Sequence, residues 1–344
     1  MNNAIKSMLV LAALSFVVLL AGCGGGEPDD TAAAGPPNAQ HKNLFGGMPK
    51  VMESKDNPLT DAKITLGRIL YYEPRMSVSG DISCNSCHLL DEFGVDGLET
   101  SPGHDGTFGV RNSPTVYNAA IHVAQFWDGR EPTVEAQAKG PILNPVEHGM
   151  PTAESVEEVL RAIPEYRPLF EAAFPGQDEP VTFDNVAMAI GAFERKLVTR
   201  GKWDRWLAGD GNALNVQEKR GLDAFMDIGC TTCHMGPNLG GSLYQKMGLV
   251  EAYPMEDKGR SEITGNETEM YFFKVPALRI VAETGPYMHD GSLETLEEVV
   301  RIMAKHQLGK PVTDQQVTDM VAFMNALTGK LPAEYIAEPT LPGM

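Results

Sequence analysis

One short motif, present twice, constrains this chain more than any other feature. It occurs as CNSCH at residues 84–88 and as CTTCH at residues 230–234. Two cysteines three residues apart on a helical turn reach the two vinyl groups of one haem, and the next histidine lies beneath the iron. The sequence therefore predicts two covalently bound c-type haems, attached through Cys84, Cys87, Cys230 and Cys233 with proximal ligands His88 and His234.

Two other uses of paired cysteines compete with haem attachment. An exported protein commonly joins its cysteines in disulfides, and four thiolates can also hold a zinc ion. Neither alternative explains a histidine directly after both pairs. The two copies are also separated by about one domain length, which favours one haem for each of two domains.

The amino terminus has the features of an export signal. An apolar run too short to span a bilayer ends in the letters LAGC at residues 20–23, a pattern similar to a bacterial lipobox. We predict a lipoprotein signal peptide over residues 1–22, a lipid anchor at Cys23 and a flexible tether over residues 23–45, with His41 solvated in that tether. An ordinary signal peptide with an incidental cysteine is the alternative. Either implies the periplasm, and the lipobox adds attachment to a membrane.

Charge and periodicity indicate the class of protein. The 344 residues include 46 Asp plus Glu against 28 Lys plus Arg, a net charge of −18, which disfavours nucleic acid as a partner. Helical periodicity recurs and strand-like alternation is scarce. The predicted fold is mainly α, with two cytochrome-c-like domains packed across a shared interface, over residues 46–200 and 201–331, and an extended tail at 332–344.

The sixth ligand of each iron decides whether a haem transfers electrons or does chemistry. His104 lies in a glycine-rich stretch that predicts a mobile loop, so a ligand there could leave. His122 is interpreted as a core residue. Met303 follows a helical stretch after the second motif and would favour Fe(II), but spacing alone leaves Met288 and Met247 as rival sulfurs.

Several motifs beyond CxxCH extend the pattern over most of the chain, from about residue 63 to residue 308. In this order and spacing they resemble the bacterial di-haem cytochrome c peroxidases. The segments that carry the resemblance are ISCNSCH, RNSPTVYNAA, FWDGREPTVEAQAKGPILNPVE, IGAFERKLVTRGKWDRWL, GCTTCH, TGPYMHDGSLETLEEVV and RIMAKHQLG.

The resemblance implies a role for each haem. The amino-terminal haem would be the low-potential, peroxidatic centre, with His104 as its removable sixth ligand. The carboxyl-terminal haem would be the high-potential, electron-transfer centre, with Met303 as its sixth ligand. Trp127 matches the family's tryptophan between the haems, with simple core packing as the alternative. The family also implies a small c-type cytochrome as electron donor and a homodimer.

The resemblance also implies a peroxide pocket and a calcium ion. Gln137 and Glu147 would line the pocket, where Glu147 would move protons and Gln137 would orient hydrogen peroxide. Capping of a helix or turn is the alternative for Glu147. The interdomain calcium ligands would be Asn112, Thr284 and Pro286, the last two through backbone oxygens.

One residue departs from the family pattern. His148 stands where the family commonly has methionine, directly after the pocket glutamate, and is a second candidate ligand for the vacated iron. Two rival functions stay open at this point. One is a non-catalytic electron relay with two permanently six-coordinate haems. The other is a protein-modifying di-haem oxidase, but such a protein would carry tyrosine where this sequence has Met303, which argues against it.

Overall fold

A computed structural model describes residues 35–344, which belong to one compact unit. Within this range the chain is mainly helical. The α-helices are α1 (Ala39–Phe45), α2 (Asp61–Tyr71), α3 (Cys84–Cys87), α4 (Val134–Leu143), α5 (Ala153–Arg161), α6 (Tyr166–Ala173), α7 (Phe183–Glu194), α8 (Lys202–Leu207), α9 (Val216–Ile228), α10 (Ser261–Thr264), α11 (Leu296–Leu308), α12 (Asp314–Ala326) and α13 (Ala333–Ile336).

The remaining regular structure is short. Single 3-10 turns lie at Pro74–Met76, Leu90–Glu92, Ala119–Ile121, Cys230–Thr232, Glu267–Glu269 and Val281–Glu283. Strand β1 (Arg200–Gly201) pairs antiparallel with β4 (Gly329–Lys330), and β2 (Tyr244–Lys246) pairs antiparallel with β3 (Phe272–Lys274). Long irregular connections join these elements, as expected for a chain with 35 glycines and 24 prolines.

Most of the longer helices begin at a polar side chain that caps the first turn. Such a cap accepts a hydrogen bond from a backbone N–H that has no partner inside the helix. Helices α9, α11 and α12 have the reciprocal form, in which the third helical residue also accepts from the cap. The caps that accept in this way are Asn38, Thr60, Thr133, Thr152, Thr182, Asn215, Thr295 and Thr313.

The first hydrophobic core is built where α2 crosses α7. Gly67 on α2 allows the two backbones to touch, since a Cβ at this position would lie 1.8 Å from the carbonyl oxygen of Ala189. Leu66, Leu70 and Phe193 are fully buried around the crossing. Cys84 packs against the edge of this core, so the first CxxCH motif is anchored to it.

The second core repeats this arrangement with other residues. Helix α9 crosses α12 at Gly221, where a Cβ would lie 1.9 Å from the carbonyl oxygen of Asp319. Leu222 and Phe323 are fully buried there, and Cys230 packs against the edge. The predicted mainly α fold with two haem-domain cores is confirmed. Between the two cores the chain passes from Leu197 in the first to Trp203 in the second.

The predicted tether is too long at its carboxyl end. Residues 39–45 form α1, and Phe45 is fully buried against Trp203, with 5.2 Å between ring centroids. The prediction that His41 is solvated is also wrong: its ring packs edge-on against Trp206 and is 6% exposed. Aromatic partners more than 150 residues away create this burial, so the local composition of the segment does not reveal it.

The carboxyl-terminal segment is not simply extended. It forms α13, and the Tyr335 ring stacks on Phe193 in the first core while its hydroxyl donates to the Phe193 carbonyl, at 2.8 Å. The Tyr72 hydroxyl donates to the carbonyl of Ile336 at 2.6 Å. The segment therefore returns from the second half of the chain to cover the first core.

No helix among residues 35–344 is long and apolar enough to cross a membrane. The predicted signal peptide and the predicted lipid-anchored Cys23 lie outside the described residues.

Candidate haem centres and active site

The first CxxCH motif occupies α3 and the residue after it. Ser83 and Ser86 cap this single turn reciprocally, and the backbone N–H of His88 donates to the Cys84 carbonyl at 3.0 Å. Nδ1 of His88 lies 3.3 Å from the Gly94 carbonyl oxygen. Because a carbonyl only accepts, Nδ1 carries the proton and Nε2 keeps a lone pair for a metal. Burial lowers the pKa of His88, which keeps the imidazole neutral.

The second motif also places Nδ1 of its histidine against a backbone carbonyl, but its local structure differs. Residues 230–232 form a 3-10 turn, and Nδ1 of His234 lies 3.1 Å from the Leu239 carbonyl oxygen. Burial lowers the pKa of His234 to about 4. Both proximal histidines are therefore neutral and have Nε2 available. Among residues 35–344 the four cysteines form no disulfide, and no group of three or more His, Cys, Asp or Glu side chains is placed to hold a metal ion.

A large, mostly apolar cavity lies beside the second motif. Cys230, Cys233 and His234 line it on one side, and Met303 lines it from α11. Val299 and Val300 on the same helix also line it, which shows that this face of α11 is turned toward the cavity. Both rival sulfurs, Met247 and Met288, line the same cavity. The structure thus brings the three methionines together and does not select one.

His104 lies in an irregular loop and is held against residues 144–149. Its backbone N–H donates to the Glu147 carbonyl at 2.8 Å, and its Nε2 lies 3.1 Å from the Pro145 carbonyl oxygen. Its ring packs on Gly149, where a Cβ would lie 2.5 Å from ring atoms. Since the Pro145 carbonyl only accepts, Nε2 of His104 is a donor in this conformation and has no lone pair to offer a metal.

Glu147 lies directly beside this loop. The side-chain amide of Asn144 donates to Oε1 of Glu147 at 2.7 Å. Burial raises the pKa of the Glu147 carboxyl above its ordinary value, against the opposing effects of the Asn144 hydrogen bond and of Arg130. Gln137, on α4, is half-buried and its carboxamide makes no hydrogen bond within residues 35–344. A half-buried acid of raised pKa is suited to proton transfer near neutral pH.

His148 faces the same region from the opposite side of the turn. It is 3% exposed, and its Nδ1 lies 3.1 Å from the Met76 carbonyl oxygen. Burial lowers its pKa to about 4. Its Nε2 therefore keeps a lone pair, as a ligand of a vacated iron would require.

Trp127 links the two halves of the molecule. Its indole Nε1 donates to the Asn112 carbonyl at 2.9 Å, and its own carbonyl accepts from the backbone N–H of Lys274 at 2.8 Å. Trp127 and the three predicted calcium ligands all line the cavity of the second motif. Those three residues, Asn112, Thr284 and Pro286, offer neutral amide and backbone oxygens, which suit calcium.

Comparison with known proteins decides the family. A family model described as di-haem cytochrome c peroxidase matches residues 61–212. The cytochrome c551 peroxidase of Pseudomonas aeruginosa is 45% identical, over 88% of this chain and 89% of that protein. The cytochrome c551 peroxidase of Nitrosomonas europaea is 47% identical, over 78% of this chain and 80% of that protein. This chain belongs to the di-haem cytochrome c peroxidase family.

The fold comparison agrees with this family. A solved MauG-like protein associated with microbial copper homeostasis has a TM-score of 0.77 and 30% identity, covering 86% of this chain and 98% of that protein. The predicted cytochrome-c peroxidase activity and the two predicted c-type haems are confirmed by family membership. The residues described above fit two haems, since each CxxCH motif carries a neutral histidine with Nε2 available.

Some residues of these sites were missed by sequence reasoning. Asn144 orients Glu147, and its position three residues before that glutamate in NPVE is a signal that a turn analysis detects. Gly149 makes room for His104, but it is separated from it by 45 residues, so no local pattern reveals the contact. His122 was interpreted as a core residue, yet it lines the cavity of the second motif.

Proposed function

We propose that this chain reduces hydrogen peroxide to water in the periplasm, with electrons from a small c-type cytochrome. Electrons enter at the carboxyl-terminal haem, between His234 and Met303, and are used at the amino-terminal haem above His88. The observation that carries the proposal is the position of Glu147: a half-buried carboxyl of raised pKa lies directly beside the loop of His104, whose Nε2 is bonded to the Pro145 carbonyl.

The two haems, when bound, supply the redox chemistry. Reduction of one peroxide molecule takes two electrons and two protons, so the chain itself must move protons. Glu147 is the acid–base group in this proposal, because its raised pKa leaves part of the population protonated nearer to neutral pH. The Asn144 amide holds Oε1 and so orients the carboxyl. Gln137, whose amide has no partner within the described residues, orients peroxide by donating and accepting.

His104 controls access to the amino-terminal haem. In this proposal the oxidised protein is closed by His104 bound at the iron, and reduction of the second haem releases it. The bonds to Glu147 and Pro145 support a defined position for the released loop. Trp127 lies on the route between the haems, since it is bonded to Asn112 on one side and to Lys274 on the other.

We further propose one calcium ion, a lipid anchor and a homodimer. The calcium ligands are the side chain of Asn112 and the backbone oxygens of Thr284 and Pro286, and their position along one cavity wall supports this set. The lipobox pattern supports membrane attachment through Cys23. The homodimer rests on the family resemblance, and the acidic net charge of −18 favours a basic cytochrome as donor.

The test is peroxide consumption by the holoprotein with reduced small cytochrome c, in the oxidised and the half-reduced states. Glu147→Gln in the half-reduced protein should lower kcat/KM by about 10²–10⁴-fold, the range for a lost acid–base group. Glu158→Gln is the matched control, because Glu158 is exposed on α5. Equal turnover by wild type and Glu147→Gln would remove Glu147 from the mechanism. No turnover in any state would favour the electron relay.

A further inference from the structure

A histidine and a lysine lie side by side in the cavity of the second motif. The ammonium nitrogen Nζ of Lys274 lies 3.3 Å from Nδ1 of His122. Lys274 is 7% exposed, and the other ring nitrogen of His122, Nε2, is buried without a hydrogen-bond partner among the described residues. Both side chains line the cavity that holds Cys230 and His234.

The hydrogen bond between them determines where the imidazole proton lies. An ammonium group has only donors, so Nδ1 of His122 must accept. The neutral ring then carries its proton on Nε2, which is a buried N–H donor with no acceptor. Burial and the nearby Lys274 charge both lower the pKa of His122 well below its ordinary value, consistent with a neutral ring.

Lys274 also lacks a counter-charge. It forms no ion pair within residues 35–344, and the carboxylate that influences it, Asp128, is already bonded to Arg111 and Arg130. Burial lowers the pKa of Lys274 to about 8. A buried ammonium without a counter-charge and a buried N–H donor without an acceptor form a site that is complete only with an anion.

The surrounding backbone holds both groups in place. The ring of His122 lies over Gly241, where a Cβ would approach within 2.2 Å of its Cδ2 atom. The backbone N–H of Lys274 donates to Trp127, and β3 pairs with β2.

We propose that His122 and Lys274 together bind a propionate carboxylate of the carboxyl-terminal haem. The haem edge carries two carboxylates, the cavity is otherwise mostly apolar, and the second CxxCH motif opens into it. Because His122 comes from the first half of the chain, the contact also ties this haem to the first haem domain. The proposal depends on haem binding and is independent of peroxide turnover.

The contact should raise the potential of that haem. Adding an electron to a haem beside an uncompensated carboxylate is unfavourable, and a buried ammonium offsets that charge. We therefore expect Lys274→Met to lower the reduction equilibrium constant of the carboxyl-terminal haem about tenfold, which is about 59 mV for a one-electron couple. The amino-terminal haem should be unchanged, and Lys274→Arg should retain most of the wild-type potential.

The measurement is spectroelectrochemical titration of both haems in the holoprotein. Lys246→Met is the matched control, because Lys246 lies on the paired strand β2 but does not line the cavity. Lys274→Gln provides a second neutral variant if Lys274→Met does not assemble. His122→Leu should lower the potential of the carboxyl-terminal haem by a smaller amount than Lys274→Met does. In a Lys274→Met background the same substitution should lower it much less, because both side chains bind one carboxylate and their effects are not additive.

Resonance Raman spectra give an independent readout. The propionate-bending band of the carboxyl-terminal haem should shift in Lys274→Met and in His122→Leu, and should stay in place in Lys246→Met. Equal changes of potential in Lys274→Met and Lys246→Met would overturn the proposal, since they would show only a general charge effect. A shift confined to the amino-terminal haem would overturn it as well.

Discussion

The two haem regions have similar proximal histidines and differ in the elements that carry their proposed sixth ligands. Each CxxCH motif ends in a neutral histidine whose Nδ1 lies against a backbone carbonyl, of Gly94 in one case and Leu239 in the other. The proposed sixth ligands have unlike supports. Met303 lies on α11, a 13-residue helix with a reciprocal cap that packs on α12. His104 lies in a loop without helix or strand.

This contrast indicates how one fold can hold one closed and one releasable centre. A ligand on a packed helix cannot leave without disturbing a core, so under the proposed assignment Met303 would keep its haem six-coordinate. The His104 loop is attached by a few hydrogen bonds and by close glycine contacts: a Cβ at Gly103 would lie 1.5 Å from the Val146 carbonyl oxygen. Such attachments exchange at low cost in free energy.

The largest expected effect concerns the carboxyl-terminal haem, whose proposed sixth ligand lies on a packed helix. Met303→Leu should remove the sixth ligand of the carboxyl-terminal haem, converting its population from low spin to high spin and lowering its potential. EPR and the weak sulfur-to-iron band near the red edge of the spectrum measure this. Met288→Leu and Met247→Leu are matched controls in the same cavity. Loss of the band in one of the controls and not in Met303→Leu would reassign the ligand.

A second change tests whether the two cores are equivalent. Gly67→Ala and Gly221→Ala each insert a methyl group into a backbone crossing, at 1.8 Å and 1.9 Å from a carbonyl oxygen. Each should lower the free energy of unfolding by about 1–3 kcal/mol, as overpacking does. Thermal unfolding of the holoprotein measures this. Gly109→Ala is the control, because its nearest contact would lie at 3.8 Å. No loss of stability in one of the two variants would show that the cores differ.

A third change tests the loop of His104, the proposed removable ligand of the amino-terminal haem. Gly149→Ala should push the His104 ring from its position beside the Pro145 carbonyl, which should shift the half-reduced protein toward the six-coordinate, low-spin form about tenfold, or about 1.4 kcal/mol. EPR spin populations measure the shift. Gly80→Ala is the matched control, since Gly80 has a similar positive φ of 78° and open space around it.

The same substitution in a His104→Gly background separates a local contact from general strain. If the contact with the ring carries the effect, Gly149→Ala should leave the thermal stability of the His104→Gly protein unchanged, because no ring is left to be pushed. An equal loss of thermal stability in both backgrounds would show that the backbone conformation of Gly149, with a φ of 74°, is responsible.

The smallest expected effect concerns a buried acid in the first core. Burial raises the pKa of Glu194 from 4.5 to about 8. The folded state then holds an extra proton between these pH values, so its stability falls as pH rises through this window. Glu194→Gln removes the titration, and its free energy of unfolding relative to wild type, from thermal unfolding, should be higher at pH 9 than at pH 5, by on the order of 1 kcal/mol. A difference independent of pH would show that Glu194 does not titrate in this range.

Sequence reasoning reached the helical class, the two haems and the family, because these follow from local spacing and from motifs in fixed order. It placed the segment boundaries less well. Residues 39–45 and the last residues of the chain have the composition of linkers, yet Phe45 and Tyr335 are anchored by aromatic rings far away in sequence. Composition reports how much apolar surface a segment carries and not whether a distant partner covers it.

The chemistry of haem attachment was determined by the sequence itself. A CxxCH motif needs only one turn of backbone to position its cysteines and histidine, so five consecutive residues carry all the information. The tertiary structure alone decided the position of the His104 ring against Gly149 and the pairing of His122 with Lys274. These contacts join residues 45 and 152 positions apart, and their geometry exists only when the cores have packed.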